Sequence, residues 1–114
     1  MQNFCLVFVM LIATLLSAAD VSGKWSVHVV LDAGSGDPEL ILLQKGDALS
    51  GTYNGTLGRV ELHGTVKGDE VEILFDAGNE AIQYVGKLDG PDKMKGTVKY
   101  GSLGSGVFTA QRIK

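Results

Sequence analysis

Two histidines, three tyrosines, one tryptophan and a handful of loop carboxylates are the residues of this 114-residue chain from which chemistry could be built. His28 and His63 both fall on the outward parity of a period-two pattern, with no His-x-His or His-x-x-x-His spacing. A zinc site needs three or four ligands converging at about 2 Å, so the pair reads as solvated surface and no metal is expected. Asp32-Ala33-Gly34-Ser35-Gly36-Asp37 offers two carboxylates and a hydroxyl but lacks the alternating ligands and terminal Glu of a calcium loop; it reads as a hairpin linker. Gly101-Ser102-Leu103-Gly104-Ser105-Gly106 has the glycines of a phosphate loop but no helix after it to supply a dipole.

Catalysis finds no better footing. There is no Gly-x-Ser-x-Gly, and the single cysteine, Cys5, lies in an apolar N-terminal block. Asp69, Glu70 and Glu72 cluster at a turn and on a wet face, where nothing raises a carboxyl pKa. Neither an enzyme nor a cofactor is expected. A net charge of −3, with lysines interleaved among acids, argues against nucleic acid as a partner. Asn54-Gly55-Thr56 matches a glycosylation sequon, although Asn-Gly is already explained as hairpin chemistry.

What remains is a set of aromatic side chains on an inward face. Tyr53, Tyr84 and Tyr100, with Gln44, punctuate an otherwise aliphatic lining. A buried tyrosine hydroxyl needs a partner, whereas one at the end of a barrel meets water. Tyr53, Tyr84, Tyr100 and Trp25 are therefore the candidate ligand-contact residues of a small, mostly apolar pocket.

The elements that must carry them read as strands. Turn signals fall at Gly34-Ser35-Gly36-Asp37, Gly46-Asp47, Asn54-Gly55, Gly68-Asp69, Gly78-Asn79, Asp89-Gly90 and Gly101-Ser102. Between them, apolar and polar residues alternate, and seven turns separate eight strands. Leu49-Ser50-Gly51-Thr52-Tyr53, Leu62-His63-Gly64-Thr65-Val66 and Met94-Lys95-Gly96-Thr97-Val98 each place a glycine in mid-strand on the inward face. Glycine weakens a strand unless the strand must bend sharply, as closing a narrow barrel requires. The predicted fold is all-β, an eight-stranded antiparallel up-and-down barrel over residues 20–114. Connections this short leave no room for Greek-key crossovers.

Residues 1–19 form a separate unit. An uncharged apolar block ends in Ser17-Ala18-Ala19, the small residues of a signal-peptidase site, so Asp20 is the expected mature start. The block is shorter than the ~20 residues of a membrane span. Export to the periplasm or beyond is expected, with no membrane contact after cleavage, and the mature domain would hold together without cysteine.

Outward-facing Val30, Ile41, Leu43 and Val107 are the other departure from pattern. With neighbouring strands they would adjoin, and grouped exposed aliphatics mark a contact surface for a second copy or a protein partner.

Gly23-Lys24-Trp25 opening the first strand and Arg112 closing the last resemble the calycin group of lipocalins, fatty-acid-binding proteins and avidins. The resemblance implies that Gly23, Trp25 and Arg112 close one end of the barrel, with the cation over the indole. Leu49-Ser50-Gly51-Thr52-Tyr53 looks like a strand of avidins, and the whole pattern is similar to small Gly-x-Trp domains of secreted bacterial proteins. The expected function is an exported, non-enzymatic module whose interior takes a small apolar ligand. The alternative is a filled barrel that acts through its outer apolar face or as a homo-oligomer.

Overall fold

A computed structural model describes residues 20–113; the expected leader, residues 1–19, lies outside them. The strands are β1 (Gly23–Leu31), β2 (Gly34–Gly36), β3 (Glu39–Lys45), β4 (Ala48–Gly55), β5 (Gly58–Lys67), β6 (Glu70–Ala77), β7 (Glu80–Leu88), β8 (Lys93–Tyr100) and β9 (Ser105–Arg112). From β3 onward each strand pairs antiparallel with the next, and β1 joins β3 on one side and β9 on the other. The ladder from Trp25↔Arg112 to Leu31↔Gly106 closes the barrel. The predicted meander is the observed one, with one extra short strand.

That extra strand has a simple origin. β2 and β3 pair with β1 in a single frame, Val29↔Gly36 and Ser26↔Glu39, so Asp37 and Pro38 fall opposite His28 and Val27. Val27 N–H still donates to the Pro38 carbonyl at 3.0 Å, but proline has no N–H to return, and the ladder lapses there. β2 is thus the far end of the β3 arm, and the barrel wall has eight members.

Two turns sit elsewhere than the dipeptides predict. Gly34-Ser35-Gly36 belongs to β2 and the chain reverses at Asp32-Ala33; Asn54 and Gly55 pair with Arg59 and Gly58, so the reversal is at Thr56-Leu57. Moving the Asn-Gly turn by two residues leaves every side chain on its own face, which is why the inward parity survived.

The mid-strand glycines are sites of close approach. A Cβ on Gly51, Gly64, Gly96 or Gly106 would lie 1.8, 1.9, 2.0 or 1.8 Å from the carbonyl oxygens of Ile41, Glu72, Val85 and Val30. Neighbouring backbones lean so far into the concave face that only hydrogen fits. Inside, Val27, Val29, Leu40, Leu42, Leu49, Leu62, Val66, Val71, Ile73, Ile82, Met94 and Val98 form a dry aliphatic core around the aromatic rings. One seam is incomplete. The β5–β6 ladder runs only from Lys67↔Glu70 to His63↔Leu74, and beyond it residues 58–62 and 75–77 part.

Candidate functional site

The barrel has two unlike ends. One carries the turns after β3, β5 and β7 together with both ends of the described chain, and it is plugged. Val21 is fully buried, and its carbonyl accepts the Trp25 indole N–H at 2.9 Å. Its own N–H donates to Gln44 Oε1 at 2.9 Å, while the Ser22 hydroxyl accepts the Gln44 N–H at 3.0 Å. Gln44, expected on the lining, instead ties the N-terminal segment across the end.

Arg112 seals the plug. Its guanidinium carbon lies 4.7 Å from the Trp25 ring centroid, and Nε donates to Asp92 Oδ1 at 3.0 Å. The remaining donors reach the carbonyls of Ser22 (2.5 Å), Asp20 (3.0 Å) and Pro91 (2.9 Å). Gly23 makes room for it: at φ +136° a Cβ would stand 3.2 Å from Arg112 Nη1. The Ser22 N–H, with help from the Ser22 hydroxyl and Arg112, holds the Asp20 carboxyl below its ordinary range. Gly23, Trp25 and Arg112 meet as the resemblance implies. Trp25 cannot also face a ligand at the other end, because its ring is wholly buried in this plug; its place among the ligand-contact residues is corrected on that ground.

The opposite end is a mouth. An apolar recess of about 180 Å³ opens between the β1–β2 hairpin, the β4–β5 turn and the β8–β9 loop. Val29, Leu31, Pro38, Leu57 and Leu103 wall it, and Tyr53 and Tyr100 line it. Beneath it the aromatic rings form a continuous chain. Centroids are 4.6 Å apart for Tyr53 and Phe75, 6.1 Å for Phe75 and Tyr84, and 5.0 Å for Tyr84 and Phe108. Eight strands enclose a space that side chains can fill, and here the rings occupy it.

The tyrosine hydroxyls supply the polarity. Tyr84 Oη lies 2.5 Å from Tyr100 Oη, and burial pushes both phenols well above their ordinary pKa of 10.0, with Tyr53 adding to the rise at each. They are neutral donors at any physiological pH. Tyr100 and Tyr53 reach the recess, whereas Tyr84 stands behind them as the partner that orients the Tyr100 hydroxyl. At the rim Glu80 accepts the Ser102 N–H at 2.6 Å and the Ser102 hydroxyl at 3.0 Å, pinning the short helical turn Gly101–Leu103. The Ser102 N–H is the main reason the Glu80 carboxyl sits below its ordinary range.

The outer wall differs from expectation. Val30 and Val107 are direct cross-strand partners, but Ile41 pairs with Lys24 at the far end of β1. Six residues of strand, about 20 Å, separate Val30 from Lys24. The four aliphatics therefore form two groups, Val30 with Val107 and Ile41 with Leu43, and do not make one patch. Sequence reasoning also missed the His28–Asp37 pair, Nδ1 to Oδ1 at 2.7 Å, because Asp37 was read as a loop residue and is in fact opposite His28 in the β1 frame. Among the described residues no cluster of three potential metal ligands occurs.

No family model matches the chain, and no curated protein matches it in sequence. Solved structures match it in shape. A redesigned β-barrel is 22% identical with a TM-score of 0.69, covering 90% of this chain and 95% of that one. A second redesigned β-barrel, bound to DFHBI, is 17% identical with a TM-score of 0.64 over 89% of this chain and 97% of that one. A fatty-acid-binding protein of Echinococcus granulosus is 14% identical with a TM-score of 0.54, over 82% of this chain and 98% of that one. The likeness is one of fold: the chain is a closed, eight-stranded antiparallel barrel.

Proposed function

We propose that this protein is an exported, non-enzymatic binding module whose mouth takes a small, flat, mostly apolar molecule with one polar group. The observation that carries the reading is the recess itself, with aliphatic walls and two tyrosines, Tyr53 and Tyr100, on its lining. Ligand sites are apolar concavities with a few placed polar groups. Size narrows the class. A cavity of about 150 Å³ houses benzene, so about 180 Å³ fits a single ring with a short substituent. A long acyl chain, such as a fatty-acid-binding protein accommodates, would require the ring chain below the recess to move.

Titration with single-ring phenols, and with DFHBI as a fluorescent probe, tests the reading. Saturable binding is expected, weakened about tenfold by Tyr100→Phe, which removes one hydrogen bond. Leu57→Trp, filling the recess, abolishes it. Absence of saturable uptake, or uptake indifferent to Leu57→Trp, overturns the proposal. Export is tested separately by the N-terminal mass of the protein recovered from its native host, expected to begin at Asp20. The exposed Val30–Val107 pair supports a second reading, in which the outer wall docks a partner.

A further inference from the structure

One strand edge at the mouth is unpaired among the described residues. β2 pairs with β1 alone, through Val29↔Gly36, Val30↔Ser35 and Leu31↔Gly34. Which backbone groups that leaves free follows from the ladder. Val27 N–H donates to the Pro38 carbonyl, so residues 27 and 38 form a hydrogen-bonded pair. Antiparallel pairs alternate in kind, which makes Val29↔Gly36 and Leu31↔Gly34 hydrogen-bonded and Val30↔Ser35 not. The Ser35 N–H and C=O therefore point away from β1, to the side where β3 meets β4. Continued past Glu39↔Asn54, the β3–β4 pairing would set Ser35 against Gly58, but the chain has already reversed at Thr56-Leu57. No described strand takes that place beside β2.

The mouth recess runs along this edge. Gly34, Ser35 and Gly36 border it on one side and Thr56 and Leu57 on another, with Tyr53 and Tyr100 also on its lining. The glycines keep it open. Gly36 lies opposite buried Val29 and shares its inward face. At Gly51, Gly64, Gly96 and Gly106 the neighbouring backbone forbids a side chain, yet a Cβ on Gly36 would meet nothing nearer than Thr56 Oγ1 at 3.7 Å, and its φ is not positive. Curvature does not require this glycine; what it provides is room. Gly-Ser-Gly also carries none of the charges that commonly guard an exposed edge.

We propose that the mouth binds an extended peptide, which adds a strand to the free edge of β2 and lowers one aromatic side chain into the recess. The inference rests on the recess being a binding site, and makes the single-ring molecules above fragments of a larger ligand. The peptide residue opposite Ser35 exchanges two hydrogen bonds with it, accepting from the Ser35 N–H and donating to the Ser35 C=O. Its side chain shares the outward face of Ser35, so the residue beside it, opposite Gly36 or Gly34, faces inward. That inward residue supplies the ring, and about 180 Å³ fits the side chain of a phenylalanine. Main-chain pairing for affinity and a pocket for an alternate side chain are the two parts of recognition by strand addition. A second copy of this chain fits less well, because β2 laid against β2 would bring glycine where the recess takes a ring.

The full chain is titrated with acetyl-Ser-Phe-Ser-amide, with the same peptide methylated on both serine nitrogens, and with phenol, while amide exchange is followed at Ser35. The unmodified peptide is expected to bind at least tenfold more tightly than phenol. At saturation it should slow Ser35 exchange at least tenfold, which phenol should not. Methylation removes whichever serine N–H faces the Ser35 carbonyl but keeps the ring, and should weaken binding at least tenfold. Ser35→Pro deletes a donor that β1 does not use, and should erase the advantage of the peptide over phenol. Phenol binding without that advantage, equal binding of the methylated peptide, or unchanged Ser35 exchange at saturation overturns strand addition and leaves the mouth reading standing. Binding of neither phenol nor peptide overturns both. Ser35 protection that rises with protein concentration in the absence of peptide assigns the edge to a second copy and overturns the proposal as well.

Discussion

The plugged end and the mouth solve the same problem, ending a barrel, with opposite chemistry. At the plug one cation satisfies itself on three carbonyls, a carboxylate and an indole face, and the chain's own Val21 fills the remaining space. At the mouth none of the described segments is drawn across the opening, and buried hydroxyls satisfy one another below a recess. Density at one end is what permits vacancy at the other: the eight-stranded wall is secured at Trp25, so the rim can be left to short turns.

The contrast is sharpest in stability. Trp25→Ala empties the best-filled part of the plug and should cost about 3–5 kcal/mol. Leu57→Ala at the rim should cost below about 1 kcal/mol. Urea unfolding of the two variants measures the difference, and equal losses would break the comparison.

Arg112→Met keeps the aliphatic stem over Trp25 but strands Asp92 and the carbonyls. An expected loss of about 2 kcal/mol, with ligand affinity at the mouth unchanged, separates fastening from function. A fall in affinity would mean that the ends communicate.

Alkali should act from the mouth side. Tyr84 and Tyr100 hold their protons more tightly in the folded barrel than in the unfolded chain, so their contribution is complete below pH 10.0 and falls as pH rises above it. Tyr84→Phe should flatten that alkaline decline at a cost of about 1 kcal/mol near neutrality. Chemical denaturation between pH 8 and 12 reads both effects.

The smallest effect is at the rim. The Glu80 staple is complete above the ordinary glutamate value of 4.5 and is lost as pH falls through its lowered folded value. Amide exchange at Ser102 should quicken in acid, and Glu80→Gln should quicken it at neutral pH while leaving the plug amides of Val21 and Gln44 protected.

How much of this was legible in the sequence depended on whether a signal was periodic or positional. Alternation fixed which residues face inward, and mid-strand glycines carried the curvature, because both are repeated on several strands. The pairing of Trp25 with Arg112 followed once first and last strands were neighbours. Single-point signals misled. Gly34-Ser35-Gly36 resembled a turn and proved to be strand, because Pro38 interrupts the arm from inside rather than starting it. Val21 was invisible as a plug, since one aliphatic residue ahead of a strand has no period to betray it. Val30, Val107, Ile41 and Leu43 are exposed as expected, and Val30 does adjoin Val107, but Ile41 and Leu43 stand apart from them, because which outward residues adjoin depends on register, which parity leaves free by steps of two.

The parting of β5 from β6 reaches beyond binding. A closed barrel abolishes edges, yet where the ladder ends at His63 and Leu74 this one regains a short edge, the kind of template on which another chain can add a strand. Exposed Arg59 and Glu61 stand along one lip and Asp76 along the other. Charges so placed are a common guard against sheet extension, and they let a protein keep a seam ajar at its mouth without offering that seam to its neighbours as a starting point for aggregation.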